Sequence, residues 1–549
     1  MSGAVIENLS NRKLCYILVI LLVALVIFFI LGVSCSPQPS TSMEFIMVKC
    51  KDAEGGRNLN KWFYLRPSAS FYFLIRNCDP IHDLDNYIPQ YHDMRDIVFV
   101  AQLPHQRDGI DLEYSSWFQF LLALLEVDIE YDSKFTLARS AKLQLEVRLG
   151  YKTQIDPPDQ WREFIATNIT RTLDCIPPET KHDGHLYNCP SLDLFELGSN
   201  PYPFYLINVR LPVNQVLCRE KPNAPNCAIG RINDLRVIAI HQNGGFTAVW
   251  LVMKTVVSPL VTAAVIWFWK RVVALNRHSY LLEKAIMALG TSLAILDFPI
   301  EWISLWSRAP FMLLVGDIRQ GLFYAMLFSF WLIFAGEHLI DDSSRNNLSS
   351  YWRNLTSILV ASMCFLIYDV AERGMQLLNP FFSIWSSKFG SRLAYSSIYV
   401  ASCCVVTYFI FLAYKVYLVL MTIKRKRAAQ LYRSSVEAII YRFKFLMCFT
   451  LVCAAFTVIT YIMKQYGEGQ IHSDDPSGSL LVHSSSAFFT GTFGMWNIYV
   501  LLLLAMYAPS HKQYGTTIAL CEERELLMHN SGSTQSSALT AFMKASAND

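Results

Sequence analysis

Ionisable residues stand inside long apolar stretches of this 549-residue chain, and they are where chemistry would have to be carried. Asp297 and Glu301 are four apart, which on a helix puts them on one face. Asp317 and Arg319 lie in the next apolar stretch, and Asp369, Glu372 and Arg373 in or at the end of the one after. Charge in hydrocarbon is costly unless paired or hydrated, so these residues mark either a polar vestibule or a set of structural ion pairs. Two carboxylates that share a proton can activate water, and Gly316-Asp317 and Tyr368-Asp369 supply the residue types. Intramembrane hydrolysis of that kind needs a Tyr-Asp motif before a Gly-x-Gly-Asp motif. Here the order is reversed, and Leu314 occupies the place of the first glycine. His338 and His483 fall only at the edges of apolar stretches, too shallow for acyl transfer within the bilayer. There is no G-x-S-x-G elbow, metal-spaced His/Cys cluster or phosphate-cradling loop. These residues point to no enzyme, no metal and no cofactor.

The elements that position these charges are membrane spans. The chain is 53 % apolar, 13 % aromatic and only 17 % charged, and its net charge of +3 is too slight to imply nucleic acid. Leu14 to Val33 is an uncharged window long enough to cross a bilayer, with Arg12 and Lys13 before it. It is read as an anchor, with Val33-Ser34-Cys35-Ser36 as the alternative, a signal cleavage point. Seven more windows follow, at 248–269, 285–305, 312–334, 355–372, 393–421, 438–463 and 485–507. Lys270, Arg271, Arg277, Arg345, Arg353, Lys424 to Arg427 and Arg433 fall in alternate loops, which predicts a cytosolic side for those loops and for both termini. With that orientation the charged residues of the spans gather in the luminal half of the bundle.

Between the first and second spans the pattern changes to strand alternation. Leu143, Leu145, Val147 and Leu149 alternate with Gln144, Glu146 and Arg148; Tyr205, Ile207, Val209 and Leu211 repeat the pattern; and Asp234 to Ile240 begins a strand ending in the turn Asn243-Gly244-Gly245. An antiparallel β sandwich facing the lumen or cell exterior is the expected fold. The expected organisation is therefore a cytosolic segment 1–13, a span 14–34, a luminal ligand-binding β domain 35–247, a seven-span domain 248–507 and a cytosolic tail 508–549. Cys50, Cys78, Cys175, Cys189, Cys218 and Cys227 all fall in the luminal segment. Six cysteines allow 15 pairings; short loops favour Cys50 with Cys78, Cys175 with Cys189 and Cys218 with Cys227, and buried free thiols are the alternative. Asn168-Ile169-Thr170 is a glycosylation acceptor on the luminal side, whereas Asn8, Asn347 and Asn354 match the sequon on the wrong side.

Aromatic residues crowd the span that carries Asp317: Phe323, Phe328, Phe330 and Trp331. Phe381, Phe382 and Trp385 follow Pro380 in a luminal connection. Such residues face lipid or neighbouring helices, or they wall an apolar pocket. Gly491 and Gly494 in the last span let helices approach or leave room for an apolar ligand.

Several ordered segments resemble the Wntless family, also called Evenness interrupted or Sprinter. They are His241-Gln242-Asn243-Gly244-Gly245-Phe246-Thr247, Gly316-Asp317-Ile318-Arg319-Gln320-Gly321, Gly336-Glu337-His338, Arg442-Phe443-Lys444-Phe445-Leu446-Met447, Ser486-Ala487-Phe488-Phe489-Thr490-Gly491 and Tyr507-Ala508-Pro509-Ser510-His511-Lys512. The resemblance runs from Ile6-Glu7-Asn8 to about Tyr514. It implies a luminal β sandwich on a seven-helix bundle resembling G-protein-coupled receptors. It also implies a cargo receptor that escorts lipid-modified, palmitoleoylated Wnt from endoplasmic reticulum and Golgi to the cell surface, then returns through endosomes by endocytic adaptors and retromer. On that reading Phe323, Tyr324, Phe328 and Phe330 are expected to wall an acyl pocket, with Asp317 and Arg319 at its mouth. Phe445-Leu446-Met447 fits an aromatic-Leu-Met retromer signal or, alternatively, membrane core. Where relatives carry a tyrosine-based endocytic motif, this chain has Val436-Glu437-Ala438-Ile439. A seven-span signalling receptor using the basic loop Lys424 to Arg433 and an intramembrane hydrolase using Asp317 and Asp369 remain as alternatives.

Overall fold

A computed structural model describes residues 11–509, except 53–59, 65–77, 82–96, 106–111, 134–135, 158–159, 179–181, 214, 222–223, 276, 338–347, 429–444, 448, 458 and 460–475. The chain opens with helix α1 (Asn11–Cys35), uncharged after Lys13 and mostly exposed along its length, as a helix surrounded by lipid would be. A β domain follows, then a helical domain.

The β domain is two packed antiparallel sheets. One has the order β1 (Ser40–Ile46), β10 (Arg231–Gln242), β5 (Leu121–Glu130), β8 (Leu192–Leu197). The other runs β3 (Asp79–Pro80), β2 (Val48–Lys51), β4 (Ile97–Leu103), β9 (Phe204–Arg210), β6 (Ala141–Lys152), β7 (Arg162–Leu173). Alternation sets the inner faces: Leu121, Ala123, Leu125, Val127 and Ile129 of β5 meet Leu143, Leu145, Val147 and Leu149 of β6 in one apolar core. Every residue of β9 after Phe204 is buried, because its sheet is covered on the outside as well. Phe63 lies there, its backbone N–H and C=O both bonded to the Asn208 side-chain amide at 2.9 Å, and Arg210 meets Asp52 at 2.6 Å. Disulfides join Cys50 to Cys78, Cys175 to Cys189 and Cys218 to Cys227. A short helix, α2 (Gln215–Glu220), carries Cys218.

Asn243-Gly244-Gly245 is not a turn. The Asn243 side chain accepts the Gly245 N–H at 2.9 Å and caps helix α3 (Gly244–Val273), so β10 passes directly into the first helix of the bundle. Close packing explains the glycines: a Cβ at Gly245 would lie 2.9 Å from Pro37 Cγ.

The bundle continues with α4 (Leu281–Asp297), α5 (Trp302–Trp306), α6 (Met312–Glu337), α7 (Trp352–Gln376), α8 (Lys388–Ala428), α9 (Phe445–Thr457) and α10 (Pro476–Tyr507). Among the described residues seven segments are long and apolar enough to span; the eighth expected window, 438–463, is described only in part, as α9. The window expected as one span from 285 to 305 is two helices. Pro299 has no N–H to continue the ladder, so α4 stops at Asp297 and Glu301 begins the next short helix. Asp297 and Glu301 therefore do not share a helix face. α1 packs on α10 through small residues: a Cβ at Gly491 would lie 2.5 Å from Phe29 Cζ, and one at Gly494 2.3 Å from Phe28 Cγ. Of the two readings of these glycines, the structure uses them for helix approach.

Candidate functional site

The charges of the spans resolve into two networks. The first is built around the break in α4. Loss of the proline N–H frees the Ile295 carbonyl, and Arg319 of α6 reaches across to donate to it from Nε at 2.8 Å, while its Nη2 donates to the Leu296 and Phe298 carbonyls. Arg319 was expected at a pocket mouth; it is instead buried and committed to the helix end, where it supplies donors the broken backbone lacks. Glu301 sits 3.7 Å from Arg319 Nη1 and 2.5 Å from Lys254 Nζ of α3. Lys254 is itself buried, with its ammonium 5.4 Å from the centre of the Trp250 ring. Asp297 is wholly inaccessible to solvent and lies beside the side-chain amide of buried Asn497 on α10, within reach of the charges of Lys254, Arg319 and Glu301.

The second network ties the bundle to the β domain. Arg373 of α7 is bonded to Glu196 of β8, and its Nε is 3.6 Å from Asp317 of α6. Glu372 accepts from the Ile384 N–H at 2.8 Å, closing the connection after α7. The aromatic run after Pro380 belongs to the same junction. Phe381 is buried in the sandwich core, 5.4 Å from Phe195, and its carbonyl accepts from Arg171 at 2.8 Å.

The aromatic side chains of α6 divide by face. Phe323 and Phe330 are each 1 % exposed and packed in the bundle core, Phe323 against Trp496 and Phe330 against Phe334. Tyr324 and Phe328 are only partly buried and stack at 6.3 Å toward α8, where Tyr408 lies 5.5 Å from Phe328 and donates to its carbonyl at 2.9 Å. Between these faces Trp331 donates to Tyr499 at 3.0 Å, and Tyr499 shares a bond with Thr450 of α9 at 3.0 Å. Among the expected wall residues, Tyr324 and Phe328 have the accessible positions; Phe323 and Phe330 form the closed core behind them.

Phe445, Leu446 and Met447 begin α9 inside the bundle, with Leu446 fully buried and its carbonyl bonded to Thr450. As folded they are core, since a linear sorting signal must be exposed to be read, and the signal reading requires this turn to leave the bundle. Val436 to Ile439 lies outside the described residues, as does the loop through Arg433 beyond Ala428. Asn168 is exposed on β7, at the edge of its sheet. Sequence reasoning overlooked Lys254 and Asn497, although a lone lysine inside an apolar window is itself a signal. Glu196 had no such signal, because one acid in a strand of mixed residues says nothing until its partner is known.

A β sandwich seated on a multi-span helical bundle, with polar groups inside the bundle, defines a multi-pass membrane protein. Residues 48–242 match the family described as Wntless, GOLD domain, and residues 243–511 match Wntless-like, transmembrane domain. The protein wntless homolog of Caenorhabditis elegans is 53 % identical over 99 % of both chains. The homologs of Mus musculus and Homo sapiens are each 42 % identical, covering 94 % of this chain and 92 % of theirs. The chain belongs to the Wntless family, which acts in Wnt secretion and is not a family of enzymes.

Proposed function

We propose that this protein is the carrier of palmitoleoylated Wnt, loading its cargo in the endoplasmic reticulum and Golgi and delivering it to the cell surface. A carrier is physically necessary. Each buried methylene is worth about 0.8 kcal/mol, so a long acyl chain would otherwise hold its protein on the membrane or aggregate it. The observation that carries the reading is the docking of one β domain directly on the bundle, without a linker at Asn243, which sets a protein-binding surface above an apolar interior. In this reading the β domain is luminal, consistent with its three disulfides and its exposed sequon at Asn168. Tyr324 and Phe328, at the seam of α6 and α8, wall the acyl chain, and Asp317 lies on the β-domain side of them. Return from the surface through endosomes, by endocytic adaptors and retromer, completes the cycle; its signals are assigned to residues beyond the described ones, or to α9 when its first turn unwinds.

The test is capture from mild-detergent extracts of cells making Wnt, comparing normal ligand with one whose acylated serine is alanine. Acyl-dependent capture is expected, and Phe328→Asp is expected to reduce it at least about tenfold while the protein still reaches the Golgi, because a charge replaces apolar contact. Equal capture of both ligands would move recognition onto the β domain alone.

A further inference from the structure

A cavity of about 140 Å³ lies between the two domains, apart from the aromatic seam of α6 and α8. Its walls come from both: Tyr202 and neighbouring loop residues of the β domain on one side, Leu313, Leu314, Gln376 and Leu377 at the ends of α6 and α7 on the other. Arg308 also lines it, its guanidinium 4.9 Å from the centre of the Tyr202 ring. The second arginine of the lining, Arg373, is neutralised by Glu196 and Asp317. Arg308 has no ion pair among the described residues, so its guanidinium is the cation of the lining still open to an anion. Charged side chains thus line one part, and leucines the other.

Position decides what such a cavity would hold. It sits where the helices end on the β-domain side of the membrane, and the residues around it are apolar and open: Trp306 is 88 % exposed and Leu378 78 %. Tryptophan at a helix end marks the headgroup level of a bilayer. At about 140 Å³ the space is well below the roughly 300 Å³ of a drug-sized pocket, too small for a peptide loop or an acyl chain. It fits an anionic headgroup whose tails run outward along Leu313, Leu314 and Leu377. We propose that this cavity holds the phosphate of a phospholipid from the leaflet on the β-domain side, gripped by Arg308 and wedged between sandwich and bundle.

The test uses the full chain in lipid nanodiscs containing a phospholipid with a photoactivatable group beside its phosphate, followed by mapping of the labelled peptides. Labelling is expected at 308–314 and 198–202. Arg308→Gln, at an exposed position, is expected to cut it roughly tenfold through loss of a charge-assisted hydrogen bond. Leu314→Trp, which fills the cavity and leaves the charge, is expected to do the same. A matched diacylglycerol probe without phosphate should not label these peptides. Unchanged labelling in both variants, equal labelling by the diacylglycerol, or displacement by inorganic phosphate alone would each overturn the proposal. None of these readouts depends on Wnt capture, so the site and the carrier reading fail or stand separately.

Discussion

At the scale of single residues, Glu301 is the hinge of the polar network, since Lys254 and Arg319 both converge on it while Arg319 also closes the broken end of α4. Removing one member of a buried pair leaves the other charge uncompensated. Lys254→Met is therefore expected to cost about 3–5 kcal/mol, seen as a lower thermal midpoint in detergent, and adding Glu301→Gln should recover part of it. A single variant as stable as the parent would show that the network is hydrated or neutral rather than paired. His241 makes the opposite point about charge. Its ring is bonded to Thr41 at 2.8 Å and packed between Tyr114 and Phe118, and burial pushes its pKa down to about 4. The folded state disfavours the proton, so the stability from the neutral ring is fully present above the unfolded value near 6.5 and is lost as pH falls toward 4. The loss over that window is at most roughly 3 kcal/mol. His241→Gln should flatten the pH dependence of the thermal midpoint between those limits, and an unchanged slope would assign it to other groups.

At the scale of elements, the spans and the strands of the sandwich were legible because their apolar patterns are long and periodic: β6 lies where Leu143 to Leu149 alternate, and α1 where charge is absent. What was not legible depended on one residue acting against its surroundings. Pro299 splits a window that hydropathy joins, and the repair by Arg319 comes from a different helix. Likewise the four aromatic candidates on α6 are equivalent in composition, and only packing separates buried Phe323 and Phe330 from accessible Tyr324 and Phe328. Gly491 was ambiguous for the same reason until Phe28 and Phe29 of α1 were found filling the space beside the last span. Since a Cβ there meets a ring at 2.5 Å, Gly491→Leu is expected to push α1 from α10 and give an aggregated or strongly destabilised protein, whereas Gly491→Ala should cost less. Size-exclusion profiles and thermal midpoints of the two variants would decide it; a leucine variant that behaves like the parent would mean that α1 is dispensable for packing.

At the scale of the whole molecule, the question is whether sandwich and bundle act as one body. Contacts that hold them together include Arg373 with Glu196, Arg171 with the Phe381 carbonyl, Phe381 inside the sandwich core, the Glu196 N–H donating to the Pro380 carbonyl at 3.0 Å, and Ser304 donating to the Gln119 side chain at 2.7 Å. Gly198 completes the junction, because a Cβ there would lie 2.2 Å from the Pro310 carbonyl oxygen, a backbone atom that cannot swing aside. Gly198→Val is therefore expected to part the domains without unfolding either, since it changes neither an inner face of the sandwich nor a helix interface. Hydrogen exchange should rise at Glu196 and across 376–384 while β5, β6 and α10 keep their protection. If acylated cargo is gripped by both domains at once, the variant should also lose capture by more than either surface alone would explain, because a rigid junction spares the entropy of bringing two binding surfaces into register. Raised exchange with undiminished capture would instead make the sandwich and the bundle independent binding modules, joined by the chain between α1 and β1 and by the strand that becomes α3.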